Sequence, residues 1–254
     1  MELPRNTFKH ALAAGRPQIG LWSTLSSSLT VELLAGAGFD WMLLDMEHSP
    51  NDLESLFCQL QASEPYPTHA VVRVPWNDAV MLKRVLDIGA QTVLIPMIDN
   101  AEQARAAVAA MRYPPRGIRG VGGTTRATRW GRIQNYPQRA ESEVCILLQV
   151  ETVTSLEQIE AIAAVDGVDG IFVGPADLHA SFGHVGERHH PDVWLKIEEA
   201  IRRIRAAGRA PGFLTSHEPD ARRILEIGGQ FVAVGSDASL LASAADSLKK
   251  RFLG

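Results

Sequence analysis

Short apolar, β-branched runs recur along the chain with helically patterned stretches between them. Eight runs read as strands: Ile19 to Trp22, Phe39 to Asp45, Ala70 to Val74, Thr92 to Pro96, Val144 to Glu151, Gly170 to Gly174, Pro211 to Thr215 and Gln230 to Gly235. Between them, apolar residues at helical spacing predict helices over Thr30 to Gly36, Asp52 to Ser63, Asp78 to Ile88, Ala101 to Met111, Leu156 to Ala164, Asp192 to Ala207 and Pro219 to Ile227, with a last one over Ala238 to Phe252. Several helices stop at glycine, in AGAGFD, DIGAQT, RAAGRAPG and EIGGQF, where a left-handed residue ends the turn. Eight strand and helix units in 254 residues fit a closed (β/α)8 TIM barrel, with a doubly wound open sheet as the alternative. No Pro/Ser-rich linker or charge block divides the chain, so a single domain over residues 1–254 is expected. Arg112 to Ser142 is the one long irregular stretch, and its length marks it as functional or interfacial.

A chain with 46% hydrophobic and 21% charged residues buries a core without staples, which excludes disorder. Lys+Arg of 25 against Asp+Glu of 29 is too balanced for a nucleic-acid binder, so small molecules and copies of itself are the expected partners. No run approaches the roughly 18 apolar residues of a membrane span, and MELPRNTFKHALAAGRPQ lacks the apolar stretch of a signal peptide, so a cytoplasmic location is expected. Cys58 and Cys145 lie in apolar runs and read as small hydrophobes, with no disulfide framework or zinc knuckle.

In a barrel the acting side chains sit where strands end. Those positions hold Asp45-Met46-Glu47-His48, Arg73, Gln149-Val150-Glu151 and Gly174-Pro175-Ala176-Asp177. Glu151 and Asp177 terminate neighbouring strands about 4.8 Å apart, so their carboxylates can converge on a hard cation such as Mg2+ or Mn2+. The alternative is that each caps the helix that follows. His48 with Asp45 reads as a base held by a carboxylate, set against a helix start at Ser49 to Asp52. Arg73, in an apolar strand, needs an anion: Asp45, Glu47 or, by preference, a substrate oxyanion. All five lysines fall in predicted helices or the tail, which disfavours Schiff-base chemistry and leaves a metal as the electron sink. Gly117 to Gly123 follows Pro114-Pro115 rather than a strand and is not a nucleotide fingerprint. Six arginines from Arg112 to Arg132, with no acid among them, form a basic loop to guard the mouth, meet acidic substrates or touch another subunit.

Taken together, DWMLLDMEHSPND, VVRVPW, IRGVGG with RATRWG, LLQVETV, IFVGPADLHASFG and FVAVGSD resemble the HpcH/HpaI aldolase family over nearly the whole chain. The resemblance implies a (β/α)8 barrel of the phosphoenolpyruvate/pyruvate type, assembled as a hexamer, a trimer of dimers, with the last helix exchanged between subunits. It implies a class II aldolase that joins or cleaves a 2-oxo acid, pyruvate or hydroxypyruvate, and an aldehyde, with Mg2+, Mn2+ or Co2+. By motif, Glu151 and Asp177 are the implied metal ligands. His48 is the implied proton-transfer group, oriented by Asp45, and Arg73 steadies the enolate. Gln149, Gly174, Pro175 and Ala176 surround the donor, and Trp22, Phe213 and Leu214 lie near the aldehyde. His179 stands where the family often has serine. The rival readings are a malyl- or citryl-type CoA-thioester lyase on a related barrel, disfavoured by the missing C-terminal extension, and a catalytically silent barrel, disfavoured by the competent residue at every candidate position.

Overall fold

The computed structural model describes residues 1–187 and 189–254. Eight parallel strands close into a barrel: β1 (Gln18–Ser23), β2 (Trp41–Asp45), β3 (His69–Arg73), β4 (Thr92–Ile95), β5 (Cys145–Val150), β6 (Gly170–Val173), β7 (Ala210–Leu214) and β8 (Phe231–Ser236). Each pairs with the next in chain order, and β8 pairs back with β1, which settles the closed barrel over the open sheet.

Two hydrophobic layers follow from the strand period of two. Trp41 and Leu43 of β2, Val71 of β3, Cys145 and Leu147 of β5 and Phe172 of β6 fill the barrel. The alternate residues Met42, Leu44, Val72, Ile146, Leu148, Ile171 and Val173 face the helices. Gly20 is required inside, because a Cβ there would lie 2.2 Å from Cε2 of Trp41.

Around the sheet run α2 (Ser28–Ala35), α3 (Leu53–Ser63), α4 (Ala79–Asp87), α5 (Ala101–Met111), α7 (Val153–Glu157), α8 (Ile159–Ala163), α10 (Pro191–Ala206) and α11 (Glu218–Glu226). Gly38, Gly89, Gly208 and Gly228, one from each glycine-ended motif, take positive φ as expected. The helix expected over Leu156 to Ala164 starts earlier and divides into α7 and α8, because Gln158 leaves helical geometry at φ −107° and ψ 8°. The irregular stretch Arg112 to Ser142 ends inside α6 (Tyr136–Glu143). The short helix α9 (Pro175–Ser181) follows β6, and α12 (Asp237–Leu253) ends the chain. Ahead of β1, α1 (Thr7–Ala13) lays Phe8 against Trp41, His69 and Phe231, plugging the end of the barrel where the strands begin. Cys145 is buried inside, but Cys58 is exposed on α3, a correction to its reading as a core hydrophobe.

Candidate active site

The strands' inward phase continues into the polar groups at their C-terminal ends. Asp45 follows Trp41 and Leu43 on β2, Arg73 follows Val71 on β3, and Gln149 and Glu151 follow Cys145 and Leu147 on β5. Asp45 and Arg73 are direct register partners. The guanidinium therefore grips the carboxylate with two nitrogens, Nε to Oδ1 at 2.9 Å and Nη2 to Oδ2 at 2.6 Å. Trp22 Nε1 also donates to Asp45 Oδ2 (3.3 Å), and the Trp22 ring lies 4.9 Å from the guanidinium carbon. Burial pushes Asp45 up, but the hydrogen bonds and charge of Arg73 outweigh it and hold the carboxyl below its ordinary range.

Glu47, which sequence reasoning named only as a pairing alternative for Arg73, belongs to the same cluster. Its Oε2 lies 2.9 Å from Arg73 Nη1. Burial raises its carboxyl to about 7, against the pull of Arg73 and with the added repulsion of Glu151, Asp45 and Asp177. Glu47 shares the parity of Asp45, and that alternation is the signal that finds it.

Glu151 is buried, and burial raises its carboxyl as well. Its Oε1 accepts from the backbone N–H of Met97 (2.9 Å), which a left-handed backbone (φ 54°) holds there. Its Oε2 accepts from Gln149 Nε2 (2.6 Å). A Cβ on Gly174 would stand 2.4 Å from that same Oε2, so glycine makes room for the carboxylate. The helix-cap alternative for Glu151 falls away, since Thr152 caps α7 in a capping box with Ser155. Asp177 lies half-buried in the first turn of α9, whose N-cap is Gly174.

Asp45 and Glu47 thus share one guanidinium, and the carboxyl groups of Glu151 and Asp177 lie close enough to repel Glu47 and each other. Gln149 Oε1 is sealed from solvent with no hydrogen-bond donor among the described residues, and Glu47 Oε2 has only the ion contact to Arg73. This surplus of negative oxygen fits a hard divalent cation. Glu151 and Asp177 are the candidate ligands, and a cation between them would reverse the upward shifts of Glu47 and Glu151.

Two expected pairings are corrected. The Asp45–His48 dyad is absent, since Asp45 is taken by Arg73 and Trp22, while His48 is exposed with its Nε2 4.0 Å from Glu47 Oε1. Phe213 has outward parity and packs against Trp194 (5.9 Å), so it does not share a pocket with Trp22, which lies inside the barrel against Phe172. Phe213 and Leu214 instead line a cavity of about 490 Å3 with Pro175, Ala176 and Trp194.

The basic loop is placed differently too. Arg126 and Arg129 pair with Glu64 beyond the end of α3, and Arg119 pairs with Asp87 at the end of α4. Arg112 and Arg116 share Glu141 and Asp166. Helix-to-strand connections lie at the end of the barrel where strands begin, so this loop does not guard its own barrel's mouth, and these five arginines are paired in place with four carboxylates.

Comparison with known proteins agrees with this architecture along the whole barrel. The family model described as HpcH/HpaI aldolase/citrate lyase matches residues 18–244. A 4-hydroxy-2-oxo-heptane-1,7-dioate aldolase of Shigella sonnei (strain Ss046) is 56% identical over 248 residues, covering 97% of this chain and 95% of the relative. The crystal structure of an HpcH/HpaI aldolase/citrate lyase family protein from Burkholderia cenocepacia J2315 superposes with a TM-score of 0.95 at 38% identity, covering 98% of this chain and all of the other. An HpcH/HpaI aldolase from Desulfitobacterium hafniense DCB-2 gives a TM-score of 0.87 at 30% identity, covering 97% of this chain and 96% of its own.

Proposed function

This chain belongs to the HpcH/HpaI aldolase/citrate lyase family, and from that premise we propose that it cleaves and forms the C3–C4 bond of 4-hydroxy-2-oxo acids, with pyruvate or hydroxypyruvate as the 2-oxo acid. The observation that carries the reading is the gathering of four carboxyl groups at the C-terminal mouth of the barrel, Asp45 and Glu47 on Arg73 and Glu151 and Asp177 close enough to repel Glu47. The dicarboxylate named for the Shigella relative is the leading substrate, and its cleavage yields pyruvate and a four-carbon semialdehyde.

Glu151 and Asp177 would hold a divalent cation, Mg2+, Mn2+ or Co2+, which when bound supplies electrophilic polarisation of the 2-oxo group. Arg73 commits Nε, Nη2 and Nη1 to Asp45 and Glu47. A guanidinium has five N–H donors, so two remain to steady the oxygen that becomes negative as the enolate forms. Asp45 and Glu47 keep that guanidinium in place, and Trp22 closes over it. Gln149 orients Glu151, and Gly174, Pro175 and Ala176 leave backbone at the start of α9 for the donor's carboxylate. His48 moves the proton of the C4 hydroxyl. Its carboxylate neighbour is Glu47, which replaces Asp45 in that role. Phe213 and Leu214 border the aldehyde side.

The exposed α12 supports assembly into the hexamer with exchanged helices, and the free thiols Cys58 and Cys145 suit a reducing, cytoplasmic setting. Among the described residues no helix is long and apolar enough to cross a membrane. Residues 1–254 act as one catalytic unit in this reading.

Solvent deuterium exchange into C3 of pyruvate and hydroxypyruvate, followed by NMR with Mg2+ or Mn2+ and then with EDTA, tests the proposal without knowledge of the aldehyde. Exchange that needs the cation in one donor identifies that donor. Absence of exchange in both, with the cation bound, overturns the reading.

A further inference from the structure

A second constellation lies outside the barrel mouth, in the segment joining α9 to α10. His184, Glu187 and His190 each offer a ligand atom within 4.8 Å of the others. Glu187 N donates to His184 O (3.1 Å), closing a turn in which Gly186 takes φ +82° at the third position. That turn brings His184 Nδ1 to 3.1 Å from Glu187 Oε1.

His190 is delivered separately, by His179. This buried side chain bonds Pro175 O through Nδ1 (2.6 Å) and accepts the backbone N–H of His190 at Nε2 (3.2 Å). Because Nε2 accepts, the proton resides on Nδ1. The carbonyl of His179 also accepts from His184 N (2.8 Å), so one residue anchors both histidines. The rings of His184 and His190 then lie stacked, with centroids 3.5 Å apart and 20° between their planes, so one ring must turn out of the stack for both to bind the same ion. His190 Nδ1 is sealed from solvent and has no hydrogen-bond partner among the described residues. A buried ring nitrogen without a partner is unfavourable, and a cation would relieve it.

Two imidazoles and one carboxylate form a borderline donor set, unlike the all-oxygen cluster at the mouth. Tetrahedral zinc with bonds of 2.0–2.1 Å needs ligand atoms about 3.3 Å apart, so the turn already holds one pair at nearly the right separation. We propose that His184, Glu187 and His190 bind a zinc-class transition-metal ion, with a fourth position open. Through His179 it ties the α9–α10 segment to the helix that carries Asp177. Glu187 also borders the cavity beside Phe213 and Leu214, which places the ion at its rim.

The site stands independently of the aldolase reading, and the test separates the two. The full chain carrying Glu151→Gln and Asp177→Asn is stripped with chelator, loaded with Zn2+ in excess Mg2+, dialysed, and its zinc counted by plasma mass spectrometry. About one zinc per chain is expected, with a zinc-dependent rise in Tm. Adding His184→Ala and His190→Ala should abolish both. Co2+ in place of zinc should give the visible absorption of a tetrahedral site in the first chain only. His184→Ala alone, in the otherwise natural sequence, should keep the far-ultraviolet circular dichroism and the metal-free Tm of the natural chain, which shows that it folds. No retained zinc in the first chain, or equal zinc after both histidines are removed, overturns the proposal.

Discussion

At the residue scale, Arg73 is the hinge of the barrel mouth. It is buried, and its guanidinium binds the carboxyl groups of Asp45 and Glu47 together. Removing one partner of a buried pair leaves the others charged and unsolvated, at a cost of roughly 3–5 kcal/mol. Arg73→Ala should therefore lose stability of about that size as well as turnover. Arg73→Lys keeps the charge without the two-nitrogen grip, so it should recover part of the stability and little of kcat. Chemical denaturation and steady-state kinetics on both variants check this, and a fully stable Arg73→Ala would refute the clamp. Strand parity explains what could be read in advance here. Asp45, Arg73, Gln149 and Glu151 continue the inward phase of their strands, so a hydrophobic pattern followed to its end delivers them. The same count warns against pairing Asp45 with His48, which lies three residues on and has the opposite parity. It favours Glu47, which shares Asp45's parity. The His184–His190 constellation carries no such periodic signal, because a turn and a side-chain anchor build it.

At the element scale, α12 is a helix without a packed face. Its 17 residues, about 25 Å of helix, bury only Asp237, which accepts from Ser23 and Thr24 and fixes the helix start to the end of β1. Leu241, Leu248 and Phe252 fall on one side at helical spacing, and all are exposed. An isolated helix of this length is marginal in water, and the proposed hexamer would cover that stripe with a second copy of the chain. Leu241→Asp with Leu248→Asp should split the proposed assembly into smaller species by sedimentation velocity. An unchanged sedimentation coefficient would refute a role for α12 in assembly. The pattern of α12 is legible because its spacing repeats over 17 residues, and the eight strands are legible because their short runs are apolar and rich in β-branched residues. Three helices lie outside the predicted stretches, one of them Pro175–Ser181, which buries only Leu178 and His179. Thr7–Ala13 buries only Phe8, Ala11 and Leu12, a single turn of pattern, and Tyr136–Glu143 buries only Tyr136 and Ala140. None of the three is long enough to show a period.

At the scale of the whole molecule, the two ends of the barrel respond oppositely to acid. Beneath the plug, His69 stacks on Phe8 and bonds Thr92 Oγ1, and burial lowers its pKa to about 4. As pH falls through 6.5 towards 4, the unfolded chain takes up a proton that the folded one refuses, so stability is lost. At the mouth, Glu47 is raised to about 7 by burial, so in falling through that range the folded chain takes the proton first and stability is gained. Between pH 7 and pH 5 each contribution amounts to about 2 kcal/mol, with opposite sign. In EDTA, where no cation supports the mouth, these two contributions to the natural chain's stability should offset one another over this range. His69→Gln removes one side of the balance and leaves the other. Because the two groups lie at opposite ends of the barrel, their effects should add independently. The variant should gain about 2 kcal/mol relative to the natural chain on going from pH 7 to pH 5. A stability difference between the two chains that stays constant over that interval would show that His69 is not held neutral beneath the plug.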